Sequence, residues 1–265
     1  MSRAFLKNFF DICYNSPKRL IMKILLAPSE TKTDGGENRF DINTLLFPQL
    51  NKTRLKLLNE YQATIDRLNI QELSKMFGLK KEKDIQRYLK TIKNEPTLKA
   101  IKRYTGVAFD YLDYDHLPHK AQQYIDREVI LCSNLFGFLR ASDKIPNYRV
   151  KQGEAVGSLQ PEKLYKEQSS IVDSYLEQEE ILDLRASFYE KFYKPKKSYT
   201  TLKFIKKGKV VSHWAKAYRG IVLRKIAIAR VETLDAFMNL PIEGLSIDEI
   251  QTKKNKTEII YTINS

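Results

Sequence analysis

Apolar and polar positions alternate between two periods along the chain, and the places where the period changes predict its elements. Lys23 to Ala27 is a short apolar run stopped by Pro28, which predicts a buried strand. The polar Ser29 to Thr33 follows as a loop, and Asp34-Gly35-Gly36 as a turn. From Leu50 to Ile92 the spacing becomes helical. Arg54, Leu55, Leu57, Leu58, Tyr61, Ile65 and Leu68 share one helix; Ile70 to Phe77 predicts a second, ended by Gly78, and Lys80 to Tyr88 a third. Pro96 predicts a helix through Ile101, and Tyr104 to Phe109 reads as irregular. Glu128 to Asn134 predicts a strand turned by Phe136-Gly137-Phe138; Pro161 to Leu176 predicts one amphipathic helix, and Ile181 to Leu184 a strand. Thr200 to Ile205 and Val210 to Trp214 read as a hairpin about Lys206-Lys207-Gly208-Lys209. From about Ala215 the residues Ala217, Tyr218, Ile221, Val222, Ile226 and Ala229 recur at helical spacing. Pro241 and Gly244 mark a break before Leu245 to Ile250, and the turn at residues 253–256 leads to a last strand, Glu258 to Ile263. Strands and helices in this order, with no repeat and no long flexible linker, predict one mixed α/β (α+β) domain: a mixed sheet with flanking helices.

Composition narrows the class. At 265 residues and 42% hydrophobic, the chain can bury a substantial core, and 29% charged residues with fifteen Tyr argue against disorder. No apolar run reaches membrane-spanning length. Residues 1–21 lack the pattern of a signal peptide, since Asp11 interrupts their apolar part. The first strand opens at Met22, so residues 1–21 are set apart as an extension and 22–265 taken as the domain. Cys13 and Cys132 form no metal-type spacing, which fits a reducing cytoplasm and a chain with no metal and no cofactor. His116 and His119 stand three apart, but Pro118 between them spoils a helical ligand pair.

Charge changes the picture more. Residues 191–231 hold thirteen Lys and Arg and no acid, so the rest of the chain holds 46 − 13 = 33 basic residues against 32 acidic. A field so localised recruits phosphates, although a solvated basic hairpin has the same composition. Lys216 and Arg219 fall in the first turn of the helix expected from Ala215, where free amides and two cations suit a phosphate; the alternative is a pair of snorkelling side chains. The Gly78 turn offers amides beside Lys80 and Lys81. Arg140, Tyr148 and Arg149 either line a cleft or brace their own loop through Asp143.

Five blocks in order, KILLAPSETK, AIKRYTGVAFDYL, ILCSNLFGFLRASDKIPNYRVKQG, ILDLRASFYEKFYKPK and VVSHWAKAYRGIVLRKI, resemble the YaaA family of bacterial peroxide-stress proteins. Two departures stand out: Ala27-Pro28 replaces the family's usual Ser-Pro, and residues 1–21 have no counterpart. The resemblance implies a mixed α/β domain with a basic cleft, binding to double-stranded DNA, and protection from hydrogen peroxide by limiting free intracellular iron. It further implies a helix-hairpin-helix-like element, which maps onto Leu73 to Tyr88. The family's recurring residues fall on Lys32, Gly106, Gly137, Arg140, Tyr148, Lys194, Lys196, Lys216, Arg219 and Gly220.

Two functions follow. The first is a non-enzymatic DNA-binding protein of the peroxide response, with no acidic two-metal cluster for nuclease chemistry. The second is an enzyme acting on a nucleotide or nucleobase, with Ser29, Lys32, Arg140, Tyr148, Lys216 and Arg219 supplying proton transfer and charge. A deep cleft lined by Ser29, Arg140, Tyr148 and Lys216 would favour the enzyme, and a broad basic groove the duplex.

Overall fold

The computed structural model describes residues 21–264, apart from the side chains of Ser212 and His213. Most of residues 1–21, the expected extension, therefore lies outside the described part. The chain begins with β1 (Met22–Leu26), then the helices α1 (Asn51–Asp66), α2 (Ile70–Phe77) and α3 (Glu82–Gln86). Next come β2 (Thr97–Lys99), α4 (Ala100–Arg103), α5 (Val107–Leu112) and α6 (His119–Glu128). They are followed by β3 (Val129–Ser133), β4 (Gly137–Arg140), β5 (Lys144–Pro146), α7 (Pro161–Glu167) and α8 (Ser169–Leu176). The last part holds β6 (Glu180–Asp183), β7 (Tyr199–Lys206), β8 (Lys209–Val210), α9 (Ser212–Ala229), α10 (Leu234–Met238), β9 (Leu245–Lys253) and β10 (Lys256–Ile263).

The main sheet has the order β4-β3-β1-β6-β7-β10-β9, with β8 paired to β7. Its centre is parallel: β3, β1, β6, β7 and β10 all run the same way, while β4, β8 and β9 run against their partners. Parallel strands are buried on both faces, which is why β1 and β3 are buried at every position and mostly apolar without alternation; the exception within β1, Lys23, is paired with Glu128. The fold is thus mixed α/β, with β2 and β5 making a separate small ribbon.

Helices close both faces. On one, α9 packs across α5, α6 and β7. The crossing of α9 over α5 is unusually close at Gly220, where an added Cβ would stand 2.1 Å from the Ala108 carbonyl oxygen. On the other, α1 and α7 gather over the β3–β4 turn. Arg54 from α1 donates to the carbonyls of Phe136 and Phe138, and the Tyr165 hydroxyl from α7 to that of Leu135.

Several expected elements differ. Helix α9 begins at Ser212, so the return strand is Lys209–Val210 and not Val210 to Trp214. The β-rich Val-Val pair had suggested a longer strand, but β7 offers partners only at Ile205 and Lys206. Residues 97–99 form a strand, because Thr97 pairs with Pro146 and bridges Glu37; the helix starts at Ala100. Gly106 leads directly into α5, so only 104–106 of the expected irregular stretch is non-helical. Pro161 to Leu176 breaks at Gln168 into two helices, and Lys80 to Tyr88 contains a helix of five residues.

Gly220→Ala tests the α5–α9 crossing. Overpacking against a backbone carbonyl costs about 1–3 kcal/mol, which lowers the melting temperature of a domain of this size by roughly 2–12 °C. An unchanged melting temperature would show that the two helices do not meet there.

Candidate functional site

The site is assembled where the parallel strands end. β1 stops at Leu26, and Ala27-Pro28 leads into a tightly organised loop. Within it the hydroxyls of Ser29 and Thr31 stand 3.0 Å apart, and the Thr31 amide donates to Ser29 Oγ. Thr31 Oγ1 and the backbone tie the loop to Thr105, and the Thr33 amide donates to the Arg103 carbonyl. From the other side Arg149 reaches the Glu30 carboxylate at 3.4 Å, and the Gln152 amide donates to Glu30 at 3.1 Å. The loop is held at both shoulders.

Beside it opens a cleft of about 480 Å³. One wall is the Ser29–Thr31 loop with Gln152; the second is Thr105 to Phe109 at the start of α5; the third is Leu184, Ala186 and Tyr189 after β6. Lys216 and Arg219 of α9 complete it. This is the crevice at the carboxyl ends of the strands where open α/β sheets bind ligands. A smaller cavity of about 180 Å³ adjoins it, shares Ala186 and Arg219, and is lined by charged groups including Asp183, Lys203, Lys256 and Glu258.

Arg219 is the electrostatic singularity of the cleft. Its Nε is buried with no hydrogen-bond partner. Loss of water pulls its guanidinium below the usual value, and the Asp183 carboxylate works the other way. Lys216, three residues earlier on α9, is exposed at the same mouth. Both lie beyond the first turn, because α9 starts at Ser212. The cradle of free first-turn amides expected around them is therefore absent, and the two side chains carry the charge.

The remaining expected residues divide. Lys32 lies behind the loop: its Nζ donates to the carbonyls of Ser29 and Glu30 and sits 4.0 Å from the Tyr148 ring centroid and 5.1 Å from that of Tyr104. Burial, then Arg149, holds its amine well below the ordinary lysine value. Tyr148 is buried beneath it in a hydroxyl chain, 2.7 Å from Ser133 Oγ and 2.8 Å from the Tyr104 hydroxyl. Ser133 Oγ already accepts from the Leu135 and Phe136 amides, so it donates to Tyr148. Arg140 ends β4, level with Ile130 of β3 and through it with Leu25 of β1, and it is not among the residues that line the cleft. Its amide donates to Asp143, which also accepts from Leu46: this stretch braces a loop and does not line the cleft. Lys194 and Lys196 precede β7, and Lys196 pairs with Asp173 at 3.5 Å.

Gly78 ends α2 with φ of 65°, a left-handed geometry that favours glycine. Its own amide and that of Leu79 close α2 onto the carbonyls of Lys75 and Ser74. Those amides are committed, so the expected amide contact to phosphate leaves Lys80 and Lys81, both exposed, as the hairpin's contribution. The turn touches the cleft wall indirectly. An added Cβ at Gly78 would meet the Lys151 side chain, next to the cleft-lining Gln152.

Glu30, Gln152 and Tyr189 escaped the sequence reading because they come from separate loops that only the strand order brings together. With this arrangement in place, the comparisons are direct. The family model described as peroxide stress protein YaaA matches residues 22–251. The chain belongs to the YaaA family of peroxide stress proteins. A Campylobacter jejuni protein, uncharacterized protein Cj0984, is 45% identical over 91% of this chain and 99% of its own length. A UPF0246 protein of Corynebacterium glutamicum is 33% identical over 90% of this chain and 100% of its own. Another UPF0246 protein, from Fusobacterium nucleatum, is 27% identical over 88% and 97%. The YaaA match begins at Met22, the first residue of β1.

Lys32 gives a pH test. Its folded value is depressed, so the native state binds fewer protons than the unfolded chain below the ordinary lysine value. Stability is complete above that value and is lost as pH falls through the lowered one. The stability of the native chain relative to Lys32→Met should therefore climb with pH as it approaches the ordinary lysine value from below, by up to roughly 1.4 kcal/mol per unit, in urea titrations. A difference flat with pH would make Lys32 a solvated ammonium.

Proposed function

We propose that this YaaA-family chain binds double-stranded DNA in the cytoplasm as part of the peroxide response, and that it thereby limits free iron and the DNA damage iron causes. The observation that carries the reading is the set of exposed cations at the cleft end of the sheet and around the Gly78 turn. On one side, the β7–β8 turn presents Lys207 and Lys209, both exposed, with Lys216 on the following helix. On the other stand Lys80, Lys81 and Lys151, around the Gly78 turn. Phosphate contacts of this kind position a duplex without reading its bases.

Among the described residues no group of three His, Cys, Asp or Glu is close enough to hold a metal ion, and no helix is long and apolar enough to cross a membrane. Iron limitation in this reading is an effect exerted through nucleic-acid binding. The rival reading, an enzyme working on a nucleotide or nucleobase, shares the cleft. Of the groups it needs, Ser29, Lys216 and Arg219 stand there, whereas Arg140 does not.

Charge reversal at the two ends of the sheet tests the proposal. Lys207→Glu with Lys209→Glu should weaken a mixed-sequence duplex by tenfold or more in fluorescence anisotropy. It should also flatten the dependence of log affinity on log salt by roughly 0.9 per lost phosphate contact. Lys253→Glu with Lys254→Glu makes the same charge change in the β9–β10 turn, at the opposite end of the sheet, and should leave both nearly unchanged. Equal losses in the two variants would reduce the attraction to a diffuse field. In peroxide-treated cells, the first variant should raise chelatable iron as far as deletion of the gene does, and the second should not.

A further inference from the structure

The buried arginines of this chain obey a rule that Arg219 breaks. Arg54 donates to the carbonyls of Phe47, Leu46, Phe136 and Phe138 and to Asn51. Arg103 donates to those of Thr33, Gly35, Pro96 and Ile145. Arg149 reaches Phe77 and Glu30, and Arg185 reaches Asp183, Tyr189 and Tyr193. In all four the Nε has an acceptor. The Nε of Arg219 is equally buried and has none, and its side chain lines the cleft. A buried donor left open costs about 1–3 kcal/mol, so a fold that closes the others and leaves this one has an acceptor that arrives from outside.

The cleft describes that acceptor. Arg219 and the exposed Lys216 set two cations at one end, which suits a phosphate, bidentate on the guanidinium. The carboxylate on the opposite wall, Glu30, is engaged by Arg149 and the Gln152 amide and so is turned away from an incoming anion. The other walls are apolar and aromatic, with Pro28, Val107 and Leu184 beside Phe109 and Tyr189, a surface for a flat ring. A volume of about 480 Å³ is in the range of small-ligand pockets and excludes a duplex.

We propose that this cleft seats a single nucleotide, its phosphate on Arg219 and Lys216 and its base against Phe109 and Tyr189. The inference rests on the nucleic-acid reading above and deepens it. Two sources present the same chemistry, a free mononucleotide and an unpaired nucleotide within DNA. An unpaired nucleotide enters at least cost because its stacking is already broken.

The experiment uses the full chain and four probes: 2′-deoxyadenosine 5′-monophosphate, 2′-deoxyadenosine, inorganic phosphate, and a duplex with or without one unpaired adenosine. The expected result is that the monophosphate binds at least tenfold more tightly than the nucleoside or phosphate by calorimetry, or that the duplex with the unpaired nucleotide binds about tenfold more tightly than its paired form. The first result without the second assigns the site to free nucleotide, and the second assigns it to DNA. Either gain should disappear in Arg219→Gln and in Ala186→Phe, which fills the cleft, and the latter should leave the affinity for paired duplex unchanged. Lys216→Gln alters an exposed side chain and guards against misfolding of the other two; it should lower the gain severalfold. Paired-duplex binding with neither gain would overturn the nucleotide site and leave the DNA reading standing. Nucleotide binding without any duplex binding would remove the DNA reading alone.

Discussion

The structure depends on buried guanidinium groups that gather backbone carbonyls. The segments around the cleft are irregular, and irregular buried backbone carries carbonyls that no strand or helix partner satisfies. Arg54 and Arg103 are fully buried, and among the described residues neither forms an ion pair with a carboxylate; their donors are spent on main-chain oxygens and one Asn side chain. Each converts several loop carbonyls into one closed network. Replacing such a residue by an apolar one leaves those oxygens without donors, a penalty beyond the lost contact itself. Arg103 is the most consequential for function, because it holds Thr33 and Gly35 and so fixes the end of the loop that begins at Ser29.

The same topology explains why one basic window does not make one basic patch. β7 runs from the far end of the sheet to the cleft end, and α9 runs back over it. Lys196 and Lys197 therefore stay at the far end, where Lys197 donates to the carbonyls of Glu177 and Glu179. Lys207 and Lys209 lie in the turn at the cleft end of β7, and Lys216 and Arg219 line the cleft itself. Further along α9, Arg224 is spent on the carbonyls of Leu112 and Asp113. Linear charge density overstated the field at any one place, while the strand–turn–helix arrangement chose which of the thirteen cations face the cleft.

Legibility followed the same division. The parallel core strands were readable because burial on both faces leaves mostly apolar residues, as in β1, β3 and the Ile181-Leu182 centre of β6. The β2–β5 ribbon was not, since three-residue strands carry no period and their pairing is set by a partner 49 residues away, Thr97 with Pro146. Arg54 sat among the apolar positions of its helix, and its place on that face was the available sign that it is buried. Lys216 and Arg219 were found through charge and helical spacing. The opposite walls of the cleft could not be, because Glu30, Phe109 and Tyr189 become neighbours only through a strand order that places β1 beside β6.

That order also makes the cleft rigid before anything enters it. Its loop is closed by Ser29, Thr31 and Lys32, braced by Thr105 on one shoulder and by Arg149 and Gln152 on the other. Beneath Lys32, Tyr148 and Tyr104 lie in a hydroxyl chain anchored on Ser133, whose oxygen is fixed by two amides. A site so constrained keeps its shape while the Arg219 Nε stands buried without a hydrogen-bond partner. Flexibility would have quenched the open donor by collapse. Rigidity preserves it, and with it the differential affinity for whatever anion the cleft receives.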